Sequence, residues 1–158
     1  MGSLLNEYKL IQADKEAVRL FWPTLILPSL RRLKKKNPNS GGWTPEHVRA
    51  HLEAGFRGLI LCELWFIVPV DGKPCGFIIY KTYNDEFTNV PDSLFIWITD
   101  CKDPQATRYI LQHGLCDQRA KDLGLPYTYG IIERRAYLKV LTEHGYEIAK
   151  YHVRKKVM

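Results

Sequence analysis

Cysteine is scarce in this chain and follows no pattern. Its four cysteines, Cys62, Cys75, Cys101 and Cys116, have no CxxC spacing and no neighbouring histidine pair. That excludes a disulfide framework and a zinc-finger arrangement, and the four read as reduced thiols packed as small apolar groups. Long hydrophobic runs are missing too. No window approaches the roughly 20 apolar residues that cross a bilayer, and Met1 to Glu7 lacks the basic-then-apolar plan of a secretory leader. The expectation is therefore a cytoplasmic chain with no membrane partner. There is no internal repeat, and the one low-complexity patch is Lys34-Lys35-Lys36. His47 and His51 stand four apart, but no glutamate lies between them to make HExxH and no third ligand is in view, so no metal is expected.

The chain has 158 residues, 46% hydrophobic and 25% charged, the balance of one soluble globular domain with a core of its own. The net charge of +6 suits an anionic partner. Arg31, Arg32, Lys34, Lys35 and Lys36 form the strongest basic cluster, and Lys150, Arg154, Lys155 and Lys156 form a second. Such clusters can neutralise phosphates. No aromatic residues are interleaved for base stacking, and a helix end favoured by its dipole, with an edge strand protected by charge, is the simpler account of the clusters.

Along the chain, Tyr8 to Gln12 reads as a first strand. Asp14 caps a helix that carries Val18, Phe21 and Trp22 and then meets Pro23 and Pro28, which predicts a break or kink between Trp22 and Leu30. Thr44-Pro45-Glu46 starts a second helix with Val48, Leu52 and Phe56 on one face. Leu59 to Val70 is β-rich, Asp71-Gly72 is a hairpin signal, and Cys75 to Tyr83 returns. The run Gly76-Phe77-Ile78-Ile79-Tyr80 predicts burial on both faces and a central place in the sheet. After a loop, the strand Ser93 to Asp100 leads to a long helical pattern from about Pro104 to Leu123. A strand Tyr127 to Ile132, a short helix from Arg134 to Leu141, and a last strand reaching Val157 complete the order. The fold class is α/β: one domain with a mixed, mostly antiparallel sheet and helices on both faces. Residues 1–58 supply the first strand and two helices, 59–100 the antiparallel strands, and 101–158 a β/α/β/α/β half.

This order resembles that of the GNAT N-acyltransferases over nearly the whole chain, and the likeness is nearest to small phage-encoded GNAT-like proteins. Their C-terminal pattern resembles Arg134-Arg135, Ala136, Tyr137, Lys139, Val140-Leu141 and Gly145-Tyr146. The helix before it is similar at Ala120 and Gly124. Trp43-Thr44-Pro45-Glu46-His47-Val48, Gly55 and Leu64-Trp65 are similar to the family's second helix and its entry into the sheet. The resemblance implies that strand 93–100 splays from strand 127–132, with the pantetheine arm of acetyl-CoA between them. The pyrophosphate would then rest on the start of the following helix. Ile98, Thr99, Lys102, Asp103, Gln105, Ala106, Thr107 and Arg134 are the implied cofactor residues.

The chemistry has gaps. The phosphate loop, Asp100-Cys101-Lys102-Asp103-Pro104-Gln105-Ala106-Thr107, has no glycine. Asp103 there reads as an N-cap with Pro104 at the first helical position. Many such enzymes place a proton-donating tyrosine four residues before the Gly-aromatic pair, and here that position is Leu141. Tyr137 lies one turn earlier and is the candidate acid, competing with a packing role. Strand 94–98 holds no base. Asp85, Glu86 and Asp92 sit in the adjoining loop, and Glu133, at the open edge, is the candidate base.

Three functions stay open. The leading one is a phage-type GNAT-like protein that has lost catalysis and serves in assembly, in the virion or in host interaction, with virion or host proteins as partners and the host cytoplasm or virion as its place. The alternative is an acetyl-CoA-dependent N-acetyltransferase acting on an amine. The third is a nucleic-acid-associated protein acting through Arg31 to Lys36.

Overall fold

The computed structural model describes residues 7–37, 42–70, 72–131, 135–149 and 155–158. The first strand, β1 (Tyr8–Gln12), is followed by α1 (Lys15–Phe21), a π-helical turn at Trp22–Ile26, α2 (Leu27–Lys36) and α3 (Pro45–Phe56). Then come β2 (Cys62–Pro69), β3 (Gly76–Asn84), β4 (Pro91–Cys101), α4 (Pro104–Gln112), α5 (Leu115–Asp122), β5 (Tyr127–Gly130) and α6 (Arg135–Glu143). One sheet runs in the order β1-β2-β3-β4-β5. Its pairs are antiparallel except β4 with β5, which are parallel. Parallel neighbours need a crossover, and α4 and α5 provide it.

The local signals explain the elements. Asp14 accepts the Ala17 N–H and starts α1. Thr44 and His47 form a reciprocal capping box around Pro45 and start α3, so His47 is an N3 partner rather than a free polar residue. The interruption expected between Trp22 and Leu30 is a π-helical turn that joins two α-helical pieces. Pro23 lacks the N–H that an α turn needs, and the chain widens into a π turn in which the Leu27 N–H bonds the Trp22 carbonyl. The long helix expected from Pro104 to Leu123 is two helices, because Gly114 adopts φ 59 between them, a left-handed conformation that glycine takes without strain. Of the last strand expected to reach Val157, residues 146–149 and 155–158 form no strand, and the rest lies outside the described residues.

The sheet separates two cores. On one face α1, the π turn, α2 and α3 pack on Cys62, Leu64, Phe66, Phe77, Ile79 and Ile98; on the other, α4 and α5 pack on Ile67, Ile78, Tyr80 and Leu94. Strand β3 is the middle strand, and Gly76 to Tyr80 are buried without interruption. Both of its faces meet helices, which is the reason the run is apolar throughout. Two side-chain contacts fasten α5 to the sheet. The buried Tyr80 hydroxyl donates to Cys116 Sγ at 3.1 Å, and Arg119 grips Glu63 with two hydrogen bonds of 3.0 and 2.6 Å.

Candidate functional site

Strand β4 has two regimes. Ser93 to Ile96 pair with Tyr127 to Gly130 of β5, while β4 continues beside β3 as far as Cys101. Beyond Ile96, β4 has no β5 neighbour among the described residues. The parting coincides with an irregularity in the other ladder. Ile79 pairs with Ile98 and Tyr80 with Ile96, so Trp97 is an extra residue opposite β3. Such a bulge kinks and twists a strand. It also puts Trp97 and Ile98 together against the α1–α3 core, while Leu94 and Ile96 face α4 and α5. Among the described residues, β4 from Trp97 onward therefore has a strand neighbour on the β3 side alone, and the gap is the place where it parts from β5.

This stretch of β4 leads directly into the start of α4. Asp103 has extended backbone and caps the helix, its Oδ1 accepting the Gln105 N–H at 3.0 Å. The Ala106 N–H bonds the Asp103 carbonyl at 3.1 Å, and Pro104 has no N–H. The buried Tyr8 hydroxyl donates to the other Asp103 carboxylate oxygen. A helix N-terminus attracts anions through its unpaired donors and its dipole, and here the chain's own carboxylate is already present. Asp100, the second acid of this loop, is paired with Arg32 of α2, which removes much of its repulsion. Lys102 is exposed beside them, with its N–H on the Cys75 carbonyl at 3.3 Å.

The expected cofactor residues therefore divide. Ile98 and Thr99 lie on the open stretch of β4, with Ile98 buried and Thr99 Oγ1 donating to the Phe77 carbonyl at 3.3 Å. Lys102, Asp103, Gln105, Ala106 and Thr107 cluster at the head of α4. Glu133 and Arg134 lie outside the described residues. Tyr137 belongs to α6, but its side chain lies outside them as well. The loop acids have local work. Asp85 Oδ1 accepts the Phe87 and Thr88 N–H groups, Glu86 accepts the Tyr83 hydroxyl, and Asp92 accepts the Ser93 hydroxyl. Among the described residues no group of three metal-ligating side chains gathers, and no helix is long and apolar enough to cross a membrane.

The basic cluster on α2 is partly engaged, since Arg32 bonds Asp100 and Lys34 Nζ lies 4.8 Å from the centre of the Trp43 ring. All four cysteines are free thiols. Burial pushes Cys62 and Cys101 up to about 12 and Cys116 up to about 11, so these three are not activated nucleophiles.

The sequence brought His51 into view only as a metal ligand paired with His47. Its Nδ1 lies 2.8 Å from the His47 carbonyl, and its ring meets Trp97 edge-on at 5.1 Å. The i, i+4 spacing with His47 was visible in the sequence, but nothing there connected the helix to Trp97.

No known sequence family matches the chain, and no curated protein matches it. Solved structures do. The aminoglycoside N-acetyltransferase AAC(6')-Iy in complex with CoA is 13% identical, with 99% of each chain covered and a TM-score of 0.62. A predicted acetyltransferase with acetyl-CoA from Clostridium acetobutylicum is 10% identical, with 95% of this chain and 96% of that one covered and a TM-score of 0.64. An acetyltransferase of Trypanosoma brucei is 11% identical, with 96% and 100% covered and a TM-score of 0.59. The fold is that of the GNAT acetyltransferases.

Proposed function

We propose that the chain is an acyl-CoA-dependent N-acyltransferase that passes an acetyl group to an amine. The observation that carries this reading is the parting of β4 from β5 at the Trp97 bulge. Among the described residues, β4 from Trp97 onward has no strand partner on the β5 side, and the polar amides of a pantetheine arm can satisfy such backbone groups. The neighbours with CoA and acetyl-CoA point the same way. Ile98 and Thr99 would line the arm, and Lys102, Gln105, Ala106 and Thr107 would meet the phosphates. Acetyl-CoA, when bound, supplies an activated acyl carbonyl. The chain's own part is to hold that carbonyl and an amine in reacting geometry, which alone can provide much of a rate enhancement.

One observation weighs against this reading and toward a GNAT-like chain that has given up catalysis. Asp103 fills the head of α4 with a carboxylate, where the enzyme reading needs room for a pyrophosphate. Calorimetric titration with CoA decides between them. The enzyme reading expects micromolar binding that is lost in Lys102→Glu with folding intact; no binding at millimolar CoA would refute it. Unchanged affinity in Lys102→Glu would refute the placement of the phosphates.

A further inference from the structure

The acyltransferase reading requires an amine to reach the gap from one face of the sheet, and the two faces differ. On the α4–α5 side Leu94, Ala106, Ile110 and Cys116 are buried and close the approach. On the other side a half-buried shelf of side chains is left partly uncovered by α1 to α3. Tyr83 and Tyr129 stack with ring centres 4.3 Å apart, and Phe95 stands 5.8 Å from Tyr129 and 6.1 Å from Tyr83. Next along the shelf, Lys81 Nζ lies 4.6 Å from the centre of the Trp97 ring, and His51 approaches the same ring.

Lys81 has no ion pair among the described residues. Glu86 accepts the Tyr83 hydroxyl, Asp85 caps its own turn, and Glu63 is gripped by Arg119 on the opposite face. Arg49, also on α3, lies over Trp22. A partly buried cation without a counter-ion is a place for an anionic group, and aromatic faces suit a planar apolar body. His51 complements them. A carbonyl can only accept, so Nδ1 carries the proton donated to the His47 carbonyl, and Nε2 is the ring nitrogen left for proton transfer.

We propose that the acceptor is a small amine carrying its own carboxylate and a planar body, held by Lys81 and the Tyr83–Phe95–Tyr129 shelf, with His51 Nε2 as the general base. The amine nitrogen forms a bond to the acyl carbon, and the carbon–sulfur bond breaks. The displaced amine proton passes to His51, and CoA leaves as its thiolate to be protonated from water. This inference rests on the acyltransferase reading.

Its test uses L-phenylalanine and L-phenylalaninamide, which share a ring and an amine and differ in the carboxylate. Calorimetry without acyl donor should show the wild type preferring phenylalanine by about 10- to 100-fold, the range of a hydrogen bond to a charged group. Lys81→Met should reduce that preference to about twofold. With acetyl-CoA, His51→Gln should lower kcat by about 100-fold and leave phenylalanine binding unchanged. Equal affinity of the wild type for both probes, binding of neither, or a preference that survives Lys81→Met would overturn the acceptor class. An unchanged kcat in His51→Gln would overturn the base. CoA titration separates the premise: CoA binding with no acceptor preference sinks only this inference, whereas the preference without CoA binding upholds the shelf and sinks the acyltransferase.

Discussion

Asp103→Asn isolates the conflict at the head of α4. Asparagine caps helices as well as aspartate does, so its side-chain oxygen can still accept the Gln105 N–H now bonded at 3.0 Å. Its amide can donate to the Tyr8 hydroxyl, which at present donates to Asp103. The substitution therefore removes a negative charge and little else. Two like charges about 4 Å apart repel by about 4 kcal/mol at an effective dielectric constant of 20. The loop is partly exposed, and screening at physiological salt acts over about 8 Å. A relief of about 1.4 kcal/mol is the reasonable expectation, a tenfold gain in CoA affinity. Calorimetric titration at low and moderate salt reads it directly, with the larger gain at low salt. Asp103→Ala is the control. It loses the cap, at about 1 kcal/mol, and should lower Tm by about 2–4 °C for a chain of this size, whereas Asp103→Asn should melt with the wild type. An asparagine variant that binds CoA no more tightly than the wild type at low salt would refute the argument that this carboxylate occupies the phosphate position.

Gly76→Ala should be the most damaging single methyl in the sheet. A Cβ there would meet the Asp100 carbonyl oxygen at 2.2 Å and Cys101 Cα at 2.7 Å, backbone atoms that can yield only by separating β3 from β4. We expect a loss of about 3 kcal/mol, read as a lower urea midpoint, and a variant within 0.5 kcal/mol of wild type would refute the register. Cys62, raised from 9.0 to about 12 by burial, should react with iodoacetamide at pH 8 about 1,000-fold more slowly than an unperturbed thiol, because the thiolate is the nucleophile. The same shift makes stability fall with pH. The buried thiol stays protonated while its unfolded counterpart ionises, so the contribution is whole below pH 9 and is lost progressively toward pH 12, by up to about 1.4 kcal/mol per pH unit. Cys62→Ala should flatten that decline in urea titrations.

Much of the fold was legible in the sequence because its signals are local. Thr44-Pro45 and Asp103-Pro104 mark helix starts by donors that a short side chain can satisfy, and both caps are present. The apolar run at Gly76 to Tyr80 announced a strand covered on both sides, and it is the central one. The interruption expected after Trp22 is present, as a π turn at Pro23. The reading failed at the helix expected from Pro104 to Leu123, because Gly114 can continue a helix or leave it through positive φ. The candidate site was legible only in part. The head of α4 followed from spacing, whereas Arg32 with Asp100 and Tyr8 with Asp103 are separated by 68 and 95 residues, beyond any periodicity.

The sequence by itself determined the element types, the caps, the central strand and the excess of positive charge, since each depends on neighbours within a few residues. Only the tertiary structure decided where β4 leaves β5, because a bulge is a mismatch between two ladders and neither strand contains it alone. The same holds for the meeting of Lys81, Trp97 and His51. They come from β3, β4 and α3, and the pleat of the sheet together with the packing of one helix on it brings all three side chains to one ring.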